Sequence, residues 1–131
     1  QAIDSIGLQH IATNQIELSP YLQNHRLVDF LQAQKIDVTS YMTLAYGKVL
    51  NDPILLDIAA QHQASSAQIA LAWALQQGFA VIPSSTKREH LIANLAAQEI
   101  QLTKDEMTAI AKLDRNAREV NPEQLAPLWD E

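Results

Sequence analysis

Apolar and polar positions along this chain fall into short runs whose period changes several times. In "IATNQIEL", Ile11 to Leu18, β-branched and polar residues mix. The run stops at Ser19-Pro20, where Pro20 has no N–H to give a ladder, and this predicts a strand. Leu27, Val28 and Leu31 then recur at helical spacing ahead of Lys35, with Asn24 placed to cap, so a helix is expected over 24–34. "IDVTSY", Ile36 to Tyr41, is rich in β-branched residues and predicts a second strand, followed by a loop containing Gly47. Pro53 suits the first turn of a helix whose apolar face is Ile54, Leu55, Ile58 and Ala59 and which ends near His62. In "SSAQIALAWALQQG", Ser65 is the expected N-cap, Gln68 its capping-box partner and Gly78 the residue past the C-cap. The interior of that helix, Ala67 to Leu75, is apolar on nearly every side except Gln68 and is expected to be largely buried. "FAVIP" reads as a short buried strand closed by Pro83, Arg88 to Leu95 as a helix, and "LTKDEMTAIAKLD" as another with a Thr103 to Glu106 capping box. Arg115 to Glu131 forms a tail with two prolines, Trp129 and no clear period.

Strands alternating with helices predict βα units and a parallel sheet. Three strands carrying five helical segments are unbalanced, because parallel strands are normally buried on both faces. Something further is expected to cover the second face.

Composition narrows the function. At 131 residues the chain is one domain by length, and 47% apolar residues can build a core. Nine Lys and Arg against fifteen Asp and Glu argue against a nucleic-acid surface, so any anion site must be local. The absence of Cys removes disulfides and thiolate metal sites, and a cytoplasmic location is expected. "QAIDSIGLQH" lacks the basic start and apolar core of a signal peptide, and no later run approaches a membrane span. The chain begins with Gln and soon enters a strand-like run, which reads as a piece of something longer.

Three stretches could carry chemistry. In "VIPSSTKREHLIANL", Ser84, Ser85, Thr86, Lys87 and Arg88 offer hydroxyls, helix N–H groups and cations that could hold a phosphate beyond a strand end. An ordinary Ser/Thr cap with solvated charges explains them equally well, although the helix dipole disfavours cations there, and no full Gly-rich fingerprint accompanies them. In the loop "YMTLAYGK", Tyr41 could stack on a flat ring, Gly47 could let backbone approach a ligand and Lys48 could neutralise an anion. Read locally, a core aromatic with a turn and a solvated Lys is the simpler account. Asn14 and Gln15 could read a carboxamide or could be an exposed pair at an edge. His10, His25, His62 and His90 have no metal-ligand spacing and are read as surface residues, and Asp105 and Glu106 suit capping and the helix dipole. No nucleophile elbow, Walker loop or HExxH motif is present, so no metal and no catalytic residue is expected.

Taken in order, "NQIELSPY", "TSYMTLAYGK", "AQIALAWALQQG", "VIPSSTKREHLIANL" and the closing "PEQLAPLWD" resemble the second half of the aldo-keto reductases. The likeness is greatest to the bacterial 2,5-diketo-D-gluconate reductase group. It implies an α/β fold, a (β/α)8 TIM barrel of about 250 residues, of which residues 1–131 supply about strands six to eight and their helices, with 115–131 as tail. It also implies extended NADPH across the carboxyl ends of the strands and reduction of a small aldehyde or ketone. By the resemblance, Gln15 contacts the nicotinamide carboxamide and Tyr41 stacks on the nicotinamide. Met42 to Lys48, with Leu44 and Gly47, covers the pyrophosphate, Ser84, Ser85, Thr86, Lys87 and Arg88 hold the 2′-phosphate, and Asn94 contacts adenine. Leu125, Leu128 and Trp129 either line the substrate pocket or pack on the barrel surface.

This chain departs from the family pattern in places. Many members carry Lys at Ser84, Arg at His90, Glu at Ala93 and Ser-Pro at Met42-Thr43. The family's Tyr acid, whose low pKa depends on Asp, Lys and His partners, has no counterpart here, and Tyr41 and Lys48 do not match those positions. The expectation is an NADPH-binding half, inactive alone, or alternatively a non-catalytic nucleotide-binding or self-associating half-barrel module. Its partners would be NADP(H) and, in the whole barrel, a small carbonyl compound, with neither nucleic acid nor membrane. Bare strand edges would favour a homo-oligomer.

Overall fold

The structure, a computed structural model, describes Ser5, residues 11–126 and Trp129. The predicted residues Leu128 and His10 lie outside the described residues. Strands β1 (Thr13–Glu17), β2 (Asp37–Tyr41) and β3 (Ala80–Val81) form one parallel sheet in that order. Parallel neighbours need long crossovers, and these are helical. Helix α1 (His25–Ala33) joins β1 to β2, while a 3₁₀ segment (Ala45–Asn51), α2 (Pro53–His62) and α3 (Ser66–Gln76) lead to β3. Helix α4 (Arg88–Ala96), a 3₁₀ turn (Ala97–Glu99) and α5 (Lys104–Ala111) follow.

Successive strand residues point to opposite faces, so the pairing register sorts them into two rows. Asn14 pairs with Val38, and Ile16 with Ser40, which also pairs with Val81. Ile16, Val38 and Ser40 in this row are buried, and the two apolar side chains join a core with Val28, Leu31, Leu55, Ile69 and Trp73. The other row pairs Thr13 with Asp37, Gln15 with Thr39, Glu17 with Tyr41, and Thr39 with Ala80. It is polar, and Thr13, Gln15, Asp37 and Ala80 are exposed. Thr13 Oγ1 lies 2.9 Å from Thr39 Oγ1 and donates to Asp37 O at 3.0 Å. Among the described residues the sheet is thus helix-covered on one face and largely bare on the other.

Local signals account for most helix boundaries. Ser65 and Gln68 form a reciprocal capping box at α3, and Gly78 follows the C-cap with φ of 84°. The body of α3 is buried from Ile69 to Ala74, as its apolar composition requires. Pro53 occupies the first turn of α2, and Asp52, not anticipated, caps it by accepting from Ile54 N at 2.9 Å and Leu55 N at 3.4 Å.

Three expectations need correction. Asn24 does not cap α1: with φ of 48° its side chain instead donates to Glu17 O at 2.5 Å and accepts from Arg118 Nη2 at 3.0 Å. "FAVIP" is not a buried strand, because β3 is the outer strand beside the bare face; Phe79 is buried, whereas Ile82 is 50% exposed. His62 is not a surface residue, since its Nε2 lies 2.9 Å from Glu106 Oε1 between α2 and α5 and the ring is half-buried.

The His62–Glu106 pair has a pH consequence. Burial by itself would raise the Glu106 carboxyl, but the Thr103 N–H and hydroxyl and the His62 ring outweigh it and hold the group below its ordinary 4.5. A depressed carboxyl stabilises the fold above its unfolded pKa, and that contribution is lost as pH falls through the lower folded value. Glu106→Gln keeps the capping geometry and is expected to flatten the acid limb of the stability curve below 4.5. Superimposable acid-denaturation curves for the two proteins would show that the carboxylate contributes nothing.

Candidate functional site

Parallel strands present all their carboxyl ends on one side, and crevices beyond those ends are where open and closed α/β sheets bind ligands. Here that side gathers the end of β1, the loop after Tyr41 and the segment from Ile82 to Lys87. Gln15 and Tyr41 lie on the same bare face of adjacent strands, one side-chain step apart, because Gln15 pairs with Thr39 and Glu17 with Tyr41. The register therefore brings together two residues that local sequence could not relate.

Tyr41 is half-buried. Burial first, then the Glu17 carboxylate, raises its hydroxyl above the ordinary 10.0, with Arg118 opposing. A hydroxyl moved in that direction is a poor proton donor at neutral pH, and the ring is left as the useful surface.

Past Tyr41 the chain coils through four left-handed residues, Met42 (φ 56°), Ala45 (φ 46°), Tyr46 (φ 52°) and Gly47 (φ 85°). Each non-glycine residue there costs roughly 1–2 kcal/mol, so other contacts must hold the loop. Buried Ser40 and Thr43 do so: their hydroxyl oxygens lie 2.6 Å apart, and Ser40 Oγ donates to Leu18 O at 2.8 Å. Only Gly47 signalled this conformation in the sequence. Leu44 packs against the core, and Tyr46 is 72% exposed beside the strand ends.

The tail crosses this end of the sheet, held by residues that sequence reasoning missed. Glu17, 3% exposed, accepts from Glu119 N at 2.6 Å and Val120 N at 2.9 Å. Lys48 Nζ donates to both Glu119 carboxylate oxygens, at 2.6 and 2.8 Å, so the loop cation is already engaged by the tail. Tyr21 O accepts from Arg115 N and Ala117 N, at 3.2 and 3.0 Å. Glu17 shares the face parity of Gln15, which was the one available clue to its role.

At α4, Lys87 is the N-cap residue without a side-chain capping bond. Ser85 Oγ accepts from Lys87 N at 3.1 Å, a turn contact that leaves the first-turn N–H groups of α4 without a side-chain cap. Ser84, Thr86, Lys87 and Arg88 are exposed, Asn94 is half-buried on α4, and α4 has no fully buried residue. The simple Ser/Thr cap is therefore absent. In the tail, Leu125 is 85% exposed, while Trp129 stacks 3.6 Å from Arg118 and donates to Asn121 Oδ1 at 2.9 Å. Trp129 lies beside α1, and the Arg118 on which it stacks also acts on the Tyr41 hydroxyl. Among the described residues no group of three or more His, Cys, Asp or Glu could hold a metal ion, and no helix is long and apolar enough to cross a membrane.

Known proteins resemble this arrangement along nearly the whole chain. The family model described as the aldo/keto reductase family matches residues 2–115. Methylglyoxal reductase DkgB of Salmonella typhi is 56% identical over 130 residues, covering 99% of this chain and 49% of that protein. Aldo/keto reductase slr0942 of Synechocystis is 42% identical, covering 92% of this chain and 43% of its own length. A solved structure of a point variant of Gox0644 in complex with NADPH superposes with a TM-score of 0.88 at 34% identity, covering 96% of this chain and 46% of that one. The chain thus spans about half the length of the curated relatives it matches. With the family model covering most of its residues, and its three parallel strands forming part of a (β/α)8 barrel, the chain belongs to the aldo/keto reductase family.

Proposed function

We propose that this chain is the NADPH-binding half of an aldo-keto reductase and that these 131 residues bind the dinucleotide without turning over a substrate on their own. The observation carrying this reading is the gathering at one end of the sheet of Gln15, Tyr41, the left-handed loop and the cationic start of α4. The NADPH-bound relative and the reductase names of the others support it.

The residues present fit the group. Gln15 offers an amide for a carboxamide and Tyr41 a half-buried ring face. Met42, Leu44, Gly47 and Lys48 form the loop for the pyrophosphate, which Lys48 serves by leaving or sharing Glu119. Ser84, Ser85, Thr86, Lys87 and Arg88 surround the uncapped N–H groups of α4 and suit a 2′-phosphate, with Asn94 on the same helix for adenine. When bound, NADPH supplies a hydride to an aldehyde or ketone carbon. No residue of this row is set up as the proton donor: the Tyr41 hydroxyl is pushed up, and the Glu17 carboxylate is occupied by the tail.

The test is titration with NADPH and NADH, followed by nucleotide fluorescence. Charge-assisted bonds contribute about 1.5–3 kcal/mol, so losing both cations in Lys87→Gln/Arg88→Gln is expected to weaken NADPH binding by tenfold or more and NADH binding little. No NADPH binding by the wild-type chain, or equal loss for both nucleotides, would sink the reading. Turnover of an aldehyde by the chain alone would contradict the half-site assignment.

The bare face favours a second reading, self-association. Among the described residues β1 and β3 each leave an edge unpaired, and Ile82, Leu91, Ile92 and Leu95 are exposed on the β3–α4 side. Such edges and apolar residues are covered in stable proteins.

A further inference from the structure

The solvent side of α1 and the tail line an open groove of about 870 Å³ that includes none of the residues proposed for the dinucleotide. It has the size of a small-molecule site, which is usually about 300–1,000 Å³. The chain has four arginines, and three of them, Arg26, Arg115 and Arg118, line this one groove. That is a marked concentration in a chain of net charge −6.

Two of these guanidinium groups are seated. Arg115 lies 3.5 Å over the Tyr21 ring, and Arg118 lies 3.6 Å over Trp129 while donating to Asn24 Oδ1 at 3.0 Å. Stacking fixes the plane of a guanidinium and leaves its edge donors for an oxyanion. Among the described lining residues Asp114 is the carboxylate, and it is turned to the backbone N–H groups of Gln23 and Asn116, both at 3.3 Å, and to His25 at 3.6 Å. The remaining wall mixes polar Asn24, His25 and Asn116 with apolar Leu27, Phe30 and Trp129, of which Phe30 is 47% exposed and Trp129 39%. Arg26 and Phe30 are four residues apart on α1 and share the face turned away from buried Val28 and Leu31.

We infer that this groove binds a small organic oxyanion, a carboxylate or phosphate ester carrying a flat apolar body, with Arg115 and Arg118 on the anion and Phe30 and Trp129 against the body. Its lining shares no residue with the set proposed for the dinucleotide, although Arg118 also acts on the Tyr41 hydroxyl.

Benzoate and phenyl phosphate are the probes, with benzyl alcohol as the neutral counterpart, titrated into the whole chain and mapped by amide and indole N–H shifts in NMR. Saturable binding of both anions that moves the Trp129 indole and the Arg115 and Arg118 amides is expected. Arg115→Gln/Arg118→Gln is expected to weaken it by about tenfold or more, while Lys104→Gln on α5 leaves it unchanged. Circular dichroism checks that the double variant folds; if it does not, the wild-type shift map decides alone. The inference is overturned if benzyl alcohol binds as tightly as benzoate, if phenyl phosphate shifts Lys87 and Arg88 instead, if the folded double variant binds normally, or if no saturation is seen.

Discussion

Glu17→Ala is expected to release the tail and to lower stability by about 2–3 kcal/mol, since each buried N–H left without an acceptor costs about 1–3 kcal/mol and a freed tail recovers part of that from water. The carboxylate is 3% exposed and is the acceptor for Glu119 N and Val120 N. A lower urea midpoint, with faster amide exchange at Glu119 and Val120 and earlier proteolysis between Arg115 and Ala126, would be the measured signature. Glu17→Gln should fall between the two, because its amide keeps one acceptor and turns a donor toward a donor. The Gln variant also carries a second readout. The Glu17 charge helps raise the Tyr41 hydroxyl, so removing that charge should move its titration back toward 10.0. Unchanged exchange at Glu119 and Val120 in the Ala variant would mean that the tail is held by other contacts, such as those to Tyr21 O and Lys48.

Light scattering at micromolar concentration is expected to return a dimer or larger species. The physical reason is the one-sided sheet: strands of this kind are stable when both faces and both edges are covered, and among the described residues nothing covers the Gln15–Thr39 face or the two edges. Lys substitutions at Ile82 and Ile92, which are 50% and 57% exposed, should shift the population toward monomer without unfolding it, since neither side chain is buried. A well-folded wild-type monomer would overturn self-association and would show that the polar face tolerates water.

Much of the architecture was legible locally. The capping boxes at Ser65 and Thr103, Pro53 in a first turn and Gly78 past a C-cap each act within a few residues, so their geometry follows from nearest-neighbour chemistry. The errors came where a residue with a local option took a distant one. Asn24 had the side chain of an N-cap, yet it bonds to Glu17 and to Arg118, 94 residues away, because these partners fix it at the junction of strand and tail. His62 was indistinguishable from a surface histidine until α5 placed Glu106 beside it. Met42, Ala45 and Tyr46 carry no signature of positive φ, and the Ser40–Thr43 contact together with the turn bonds Ala45 N to Met42 O and Gly47 N to Leu44 O holds them there.

For the candidate site, the sequence by itself determined the family resemblance, the order of strands and helices, and the residue types suited to a carboxamide, an aromatic ring and a phosphate. These properties reside in short contiguous motifs, where composition and spacing carry the chemistry. Only the tertiary structure decided that Gln15 and Tyr41 share a face, that Glu17 anchors the tail, that Lys48 meets Glu119 across 71 positions, and that three arginines meet at one groove beside α1. Each of these depends on strand register or on the path of a distant segment, and a one-residue slip would turn every side chain of a strand to the other face.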